Sequence, residues 1–152
     1  MRPLNLEILK RLTFKVLEES CFLLPTQPKT IEEYTTPPKE TITVKIECGD
    51  RYGIYVQFDN KLAPEIAENM LGLPLDEIED DLIESSLKEM VNIIGGNFMN
   101  STNIPTSAKL SIPEIISGPL EKSYSYPVSD TLTETVFLND RKIKLTLVEF
   151  AA

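Results

Sequence analysis

Residues 75–100 read LDEIEDDLIESSLKEMVNIIGGNFMN, and the periodicity of this stretch decides how the rest of the chain must be arranged. Ile83, Leu87, Met90, Val91, Ile94 and Phe98 recur at helical spacing. At about 100° per residue they fall on one arc. One long amphipathic helix with a core-facing side is predicted over 76–100. On its opposite side Ser85, Glu89, Asn92 and Gly96 follow at spacings of four, three and four, which stacks them in a narrow stripe. Asn is a poor helix former, and Gly costs about 1 kcal/mol relative to Ala in a helix interior. Yet Asn92 is followed at once by Gly95 and Gly96. Small residues beside a Glu and an Asn leave room for another surface to come close. A merely solvated face running into a glycine-frayed end is the other reading, and periodicity alone does not exclude it. Asp76, Glu77, Glu79, Asp80 and Asp81 crowd the predicted first turns, where acids complement the helix dipole. They lack the glycine and loop spacing of a calcium site.

Around this helix the chain reads as one α/β domain over 1–152. Residues 4–22 predict a first amphipathic helix, with Leu6, Leu9, Thr13, Val16, Leu17 and Ser20 or Cys21 near one face. Residues 25–39, PTQPKTIEEYTTPPK, carry prolines that forbid a helix and cannot donate to a central ladder. They read as an ordered surface linker or, equally, a mobile loop. Residues 41–48 and 52–59 alternate apolar and polar across a Gly49-Asp50-Arg51 turn, which predicts an antiparallel hairpin. Residues 60–71 predict a short helix, capped by Asp59 or Asn60 and ended by Gly72 and Pro74. Its Glu65, Glu68 and Asn69 read as solvated surface. Residues 109–116 form a possible strand broken by Pro113. Strands are further predicted over 123–128, 131–138 and 142–150, the last two joined by a tight Asn139-Asp140 turn. The fold class is α/β of the α+β kind: a mixed, mostly antiparallel sheet with the long central helix packed on it.

Composition narrows the function. The 152 residues carry 24 acidic and 15 basic side chains, a net charge of −9. That balance argues against a nucleic-acid partner, which needs a basic footprint, and disfavours an anionic membrane surface. No run of about 18 apolar residues predicts a membrane span. The first residues carry an acid and a proline where a signal peptide needs an apolar core, so a cytoplasmic location is expected. Cys21 and Cys48 lack metal-ligand spacing and read as small core residues. With no histidine in the chain, Ser-His-Asp, Cys-His and His-metal chemistry are all excluded.

The pattern Ser85-x-x-x-Glu89-x-x-Asn92, followed by Ile93-Ile94-Gly95-Gly96-Asn97, resembles the signature helix of the CheC/CheX family of chemotaxis phosphatases. The later segment Leu110-Ser111-Ile112-Pro113-Glu114-Ile115-Ile116-Ser117-Gly118 resembles the CheX branch. The first helix has no second Glu-x-x-Asn. The resemblance implies a CheC-like three-layer fold, often dimeric through the sheet edge. It implies a phosphatase acting on the aspartyl phosphate of a receiver domain of the CheY kind. Glu89 and Asn92 would be its catalytic residues. Ser85, Glu89, Asn92, Gly95 and Gly96 would be the partner-binding set, the glycines giving clearance. The chain would have no cofactor of its own, Mg²⁺ being supplied by the receiver. A non-catalytic adaptor that docks on a receiver or a flagellar switch protein is the alternative.

Overall fold

The computed structural model describes residues 3–28, 30, 40–105 and 107–151. Helix α1 spans Pro3–Cys21, strands β1 and β2 span Thr41–Cys48 and Tyr52–Asp59, and helix α2 spans Ala63–Leu71. The long helix α3 spans Asp80–Ser101. Strands β3 (Glu114–Ile116), β4 (Val128–Leu138) and β5 (Arg141–Phe150) complete the sheet. Its order is β3-β1-β2-β5-β4, and every neighbouring pair is antiparallel.

Alternation along each strand sorts the sheet into two faces. Ile46, Ile54, Leu147 and Leu132 lie in one cross-strand row. The first three are fully buried, in one apolar cluster with Leu9 and Leu17 of α1, Ile66 of α2, and Leu87, Met90, Val91, Ile94 and Phe98 of α3. The helices therefore share this face. The other face carries the row Glu114, Lys45, Tyr55, Thr146, Thr133. Part of it is covered by residues 117–127, whose Leu120 and Tyr124 pack on Tyr55, Val148 and Phe150.

Helix α3 is held from several sides. Phe98 meets the Tyr52 ring edge-on at 5.6 Å between centroids, and Asn5 of α1 donates to the Tyr52 hydroxyl at 3.1 Å. The buried residues of α3 include Leu87, Met90, Val91, Ile94 and Phe98, five of the six on the predicted core arc; Ile83 is half-buried. Cys21 and Cys48 are free, buried thiols, as their apolar surroundings predict.

Several expectations need correction. The long helix begins at Asp80, not Asp76. Residues Leu75–Glu77 form a separate 3₁₀ turn, and Ile78 is extended at φ −105°, ψ 111°. Glu79 is the N-cap of α3 and Asp80 and Asp81 lie in its first turn, so the dipole argument holds for these three and does not extend to Asp76 and Glu77. Asp59 does not cap α2. It accepts from the Lys61 N–H at 2.9 Å in a turn before the helix, and Leu62 takes the cap position without a side-chain bond. Gly72 ends α2 in the left-handed region at φ 66°. Asn69 is no bystander: its amide donates to the Cys21 carbonyl at 2.7 Å, closing the last turn of α1. Residues 123–128 are not a strand, because Leu120–Ser123 coils into a 3₁₀ turn and β4 starts at Val128. Asn139, at φ 57°, makes the β4–β5 turn. Most of the proline-rich stretch 25–39 lies outside the described residues. Within its described part Thr26 bridges to Phe137 at the outer edge of β4.

Candidate functional site

The stripe Ser85, Glu89, Asn92 and Gly96 lies on α3 away from the buried arc. Ser85 and Glu89 are exposed; Asn92 and Gly96 are half-buried. Residues 89 and 92 stand one turn apart on a helix whose other side is locked into the core, so the spacing of their Cβ atoms is fixed by the helix. No hydrogen bond or ion pair engages Ser85, Glu89 or Asn92 among the described residues. The neighbouring Ser86 behaves differently. It is buried and donates back to the Leu82 carbonyl at 2.8 Å, the ordinary way a helix satisfies an inward hydroxyl.

The two glycines separate. Gly96 is open: a Cβ built there has Leu110 Cδ2 as its nearest neighbour, at 4.0 Å. Gly95 is buried and faces the sheet, where a Cβ would stand 3.1 Å from Ile46 Cδ1 and 3.1 Å from Leu110 Cδ1. Its missing side chain lets α3 approach β1. It does not clear space for a partner, and the expectation that Gly95 belongs to the partner-binding surface is corrected on that ground. Helical phase contains the signal: Gly95 is one residue from Ile94 and four from Val91, which puts it beside the core arc.

Other polar groups do not gather around Glu89 and Asn92. The most buried charged pair, Lys45 and Glu47, lies on the opposite face of the sheet. There Lys45 Nζ is 3.8 Å from Glu47 Oε2 and donates to the Ser123 carbonyl. Ser125 donates to Glu47 Oε1 at 2.8 Å, and the Ser123 hydroxyl, which donates to the Leu120 carbonyl at 2.7 Å, lies 3.2 Å from the Tyr55 hydroxyl. Burial pushes the Tyr55 phenol up to about 12. A cleft lined by Glu47, Asp50, Arg51, Lys109 and Tyr126 opens at the end of the sheet where the β1–β2 turn lies. Neither Glu89 nor Asn92 lines it. Among the described residues no group of three or more His, Cys, Asp or Glu is placed to hold a metal ion.

Comparison with known proteins identifies the arrangement. The family model for chemotaxis phosphatase CheX matches residues 42–134, more than half of the chain. The chain belongs to the CheX family. Among solved structures it is similar to the CheX–CheY–BeF3–Mg²⁺ complex from Borrelia burgdorferi, at TM-score 0.67 and 18% identity, covering 96% of this chain and 97% of that one. It is similar to CheX from Vibrio vulnificus, at TM-score 0.67 and 15% identity, covering 95% of each chain. A CheC-like superfamily protein from Shewanella sp. PV-4 matches at TM-score 0.65 and 14% identity, covering 99% of this chain and 100% of that one. No match is found among curated proteins. The α/β fold is thus that of CheX and CheC-like proteins. No helix among the described residues is long and apolar enough to cross a membrane.

Proposed function

We propose that this protein docks the Ser85–Gly96 stripe of α3 onto a phosphorylated CheY-like receiver and hydrolyses its aspartyl phosphate. The observation that carries the reading is the state of Glu89 and Asn92: presented side by side on a rigid helix, with no internal partner. Leaving two polar groups unspent on a helix face suits a partner that completes them. Membership of the CheX family supports the same substrate class.

An acyl phosphate already has a good leaving group, so hydrolysis needs an in-line water and charge stabilisation more than acid–base chemistry. The oxygen of a water forms a bond to phosphorus while the bond to the receiver carboxylate breaks. The products are inorganic phosphate and a free aspartate, with the water's proton passing to phosphate and solvent. Asn92 orients that water. Its carboxamide oxygen accepts from the water and its NH₂ donates to a phosphoryl oxygen. An amide does this without titrating, which fits a chain lacking histidine. Glu89 pairs with the receiver's lysine and fixes the register one turn away. Mg²⁺ comes with the receiver, as the Borrelia complex containing CheY, BeF3 and Mg²⁺ suggests. The phosphatase pairs with a second copy through β4, an edge strand of 11 residues with β5 on one side.

The test is a phosphate-release time course with a phosphorylated receiver from the same cell. Wild type accelerates decay; Asn92→Ala and Glu89→Ala each lose on the order of 10²-fold, the cost of a lost positioning group. Wild-type turnover in both variants refutes the assignment. Binding without acceleration across all receivers points to an adaptor instead.

A further inference from the structure

The proline-containing segment 110–116 has a role that the stripe alone leaves unused. It runs along β1, and its register is interrupted. Leu110 pairs with Cys48 and Glu114 pairs with Lys45. Between these two pairs β1 has Ile46 and Glu47, while the facing segment has Ser111, Ile112 and Pro113. Two residues oppose three, which is a β-bulge. Ser111 is fixed to Glu47 in both directions: its N–H donates to the Glu47 carbonyl at 2.9 Å, and its hydroxyl accepts from the Glu47 N–H at 2.7 Å. The extra residue therefore falls at Ile112 and Pro113, opposite Ile46.

Two consequences follow. Ile112 is 83% exposed, the most exposed large apolar side chain among the described residues. It also sits at the level of Ile46, whose Cδ1 abuts Gly95. Gly95 and Gly96 are the residues directly after the turn that carries Asn92. The bulge thus presents an isoleucine at the open edge of the sheet beside the glycine end of the stripe, clamped by the Ser111 bonds before it and by proline and β3 after it. A solvent-facing isoleucine on a stiffened backbone contributes nothing to the core. It loses little entropy when a partner covers it, the condition under which an apolar contact adds affinity.

We propose that Ile112 is the apolar anchor by which this protein grips the receiver, seating against an apolar spot next to the receiver's phosphorylation site. The inference rests on the docking reading above and deepens it. Glu89 and Asn92 set the chemistry, and Ile112 contributes to affinity and to the choice among receivers. It is a docking residue, so its signature is a split between KM and kcat. Ile112→Ala raises KM for the phosphorylated receiver on the order of tenfold, the scale of burying such a side chain, and leaves kcat unchanged. Affinity for the receiver activated with beryllofluoride and Mg²⁺ falls by the same factor, and Ile112→Val restores most of it. Thermal stability is unchanged, because the side chain is outside the core. Leu24→Ala is the control: Leu24 is also exposed, but it lies near Thr26 at the opposite edge of the sheet, and its loss leaves KM alone. Wild-type KM and affinity in Ile112→Ala, with wild type active, overturn the anchor while leaving the phosphatase intact. A loss confined to kcat also overturns it. Failure of wild type to bind or accelerate any receiver overturns the docking reading and the anchor together.

Discussion

Two adjacent glycines in one helix should respond to the same substitution with opposite signs. A methyl on Gly95 would stand 3.1 Å from Ile46 Cδ1, 3.2 Å from Ile46 Cγ2 and 3.1 Å from Leu110 Cδ1. Carbon contacts rest at about 3.5–4.0 Å, so three gaps must each open by a few tenths of an ångström. Turning Ile46 does not help, because both of its branches are in the way and the residue is fully buried. Helix or strand must shift, at an overpacking cost of about 1–3 kcal/mol. Replacing Gly by Ala in a helix interior returns about 1 kcal/mol. The net for Gly95→Ala is a loss of about 1 kcal/mol. At Gly96 the nearest atom is 4.0 Å away, so only the propensity gain remains, about 0.5–1 kcal/mol. The two variants should differ by roughly 2 kcal/mol, which for a chain of this size is about 4–8 °C in Tm. Urea and thermal unfolding followed by far-UV circular dichroism measure this directly. Function should move the other way. Gly96→Ala places a methyl on the docking stripe and weakens receiver binding despite the added stability. Gly95→Ala keeps its chemistry wherever it is folded. If Gly95→Ala is as stable as wild type, or Gly96→Ala is destabilised, the assignment of one glycine to the sheet and the other to the partner is wrong.

Two further outcomes follow from the buried groups. Lys45→Ala strands Glu47 in a site where both side chains are nearly covered; it should cost about 3–5 kcal/mol in urea unfolding, while replacing both partners by apolar residues costs far less. Cys21 and Cys48 are buried, and desolvation pushes each thiol from about 9 to about 12, with Tyr55 raised from about 10 to about 12 in the same way. A thiol reagent should therefore leave the native protein unlabelled and react fully in denaturant. The folded state holds these protons to higher pH than the unfolded chain, so their contribution to stability is constant below about pH 9 and falls as pH rises toward 12. A Tm that rises across that window contradicts the burial of all three.

The long helix was legible because its two faces differ in kind. A core arc of Leu, Met, Val, Ile and Phe must be buried against the rest of the domain, and that fixes where Ser85, Glu89 and Asn92 must point. The β1–β2 and β4–β5 hairpins were legible for the same reason: alternation and turn residues act over a few positions. What failed depended on contacts distant in sequence. Asp76 and Glu77 look like a helix start, but Pro74 and the extended Ile78 detach them into a separate turn. Asn69 looks like surface until the end of α1 is laid beside it. Residues 123–128 have strand-forming side chains, yet they serve as a cover over Tyr55. Gly95 and Gly96 are the same residue type, and only their helical phase relative to Val91 and Ile94 separates them before Ile46 is laid against Gly95.

The bulge at Ile112 belongs to the same class. Proline at 113 marks an irregular strand, but the number of residues on the facing strand decides which side chain is expelled. The architecture then divides the work. The helix contributes the rigid pair Glu89 and Asn92, whose geometry is set by core packing. The sheet edge contributes an apolar side chain, whose exposure is set by a register fault. Chemistry and recognition would thus rest on separate elements that meet at Gly95, where helix and strand touch without an intervening side chain. A change in Ile112 can retune partner choice without disturbing Asn92. That independence is what the KM and kcat responses of the Ile112 variants would display.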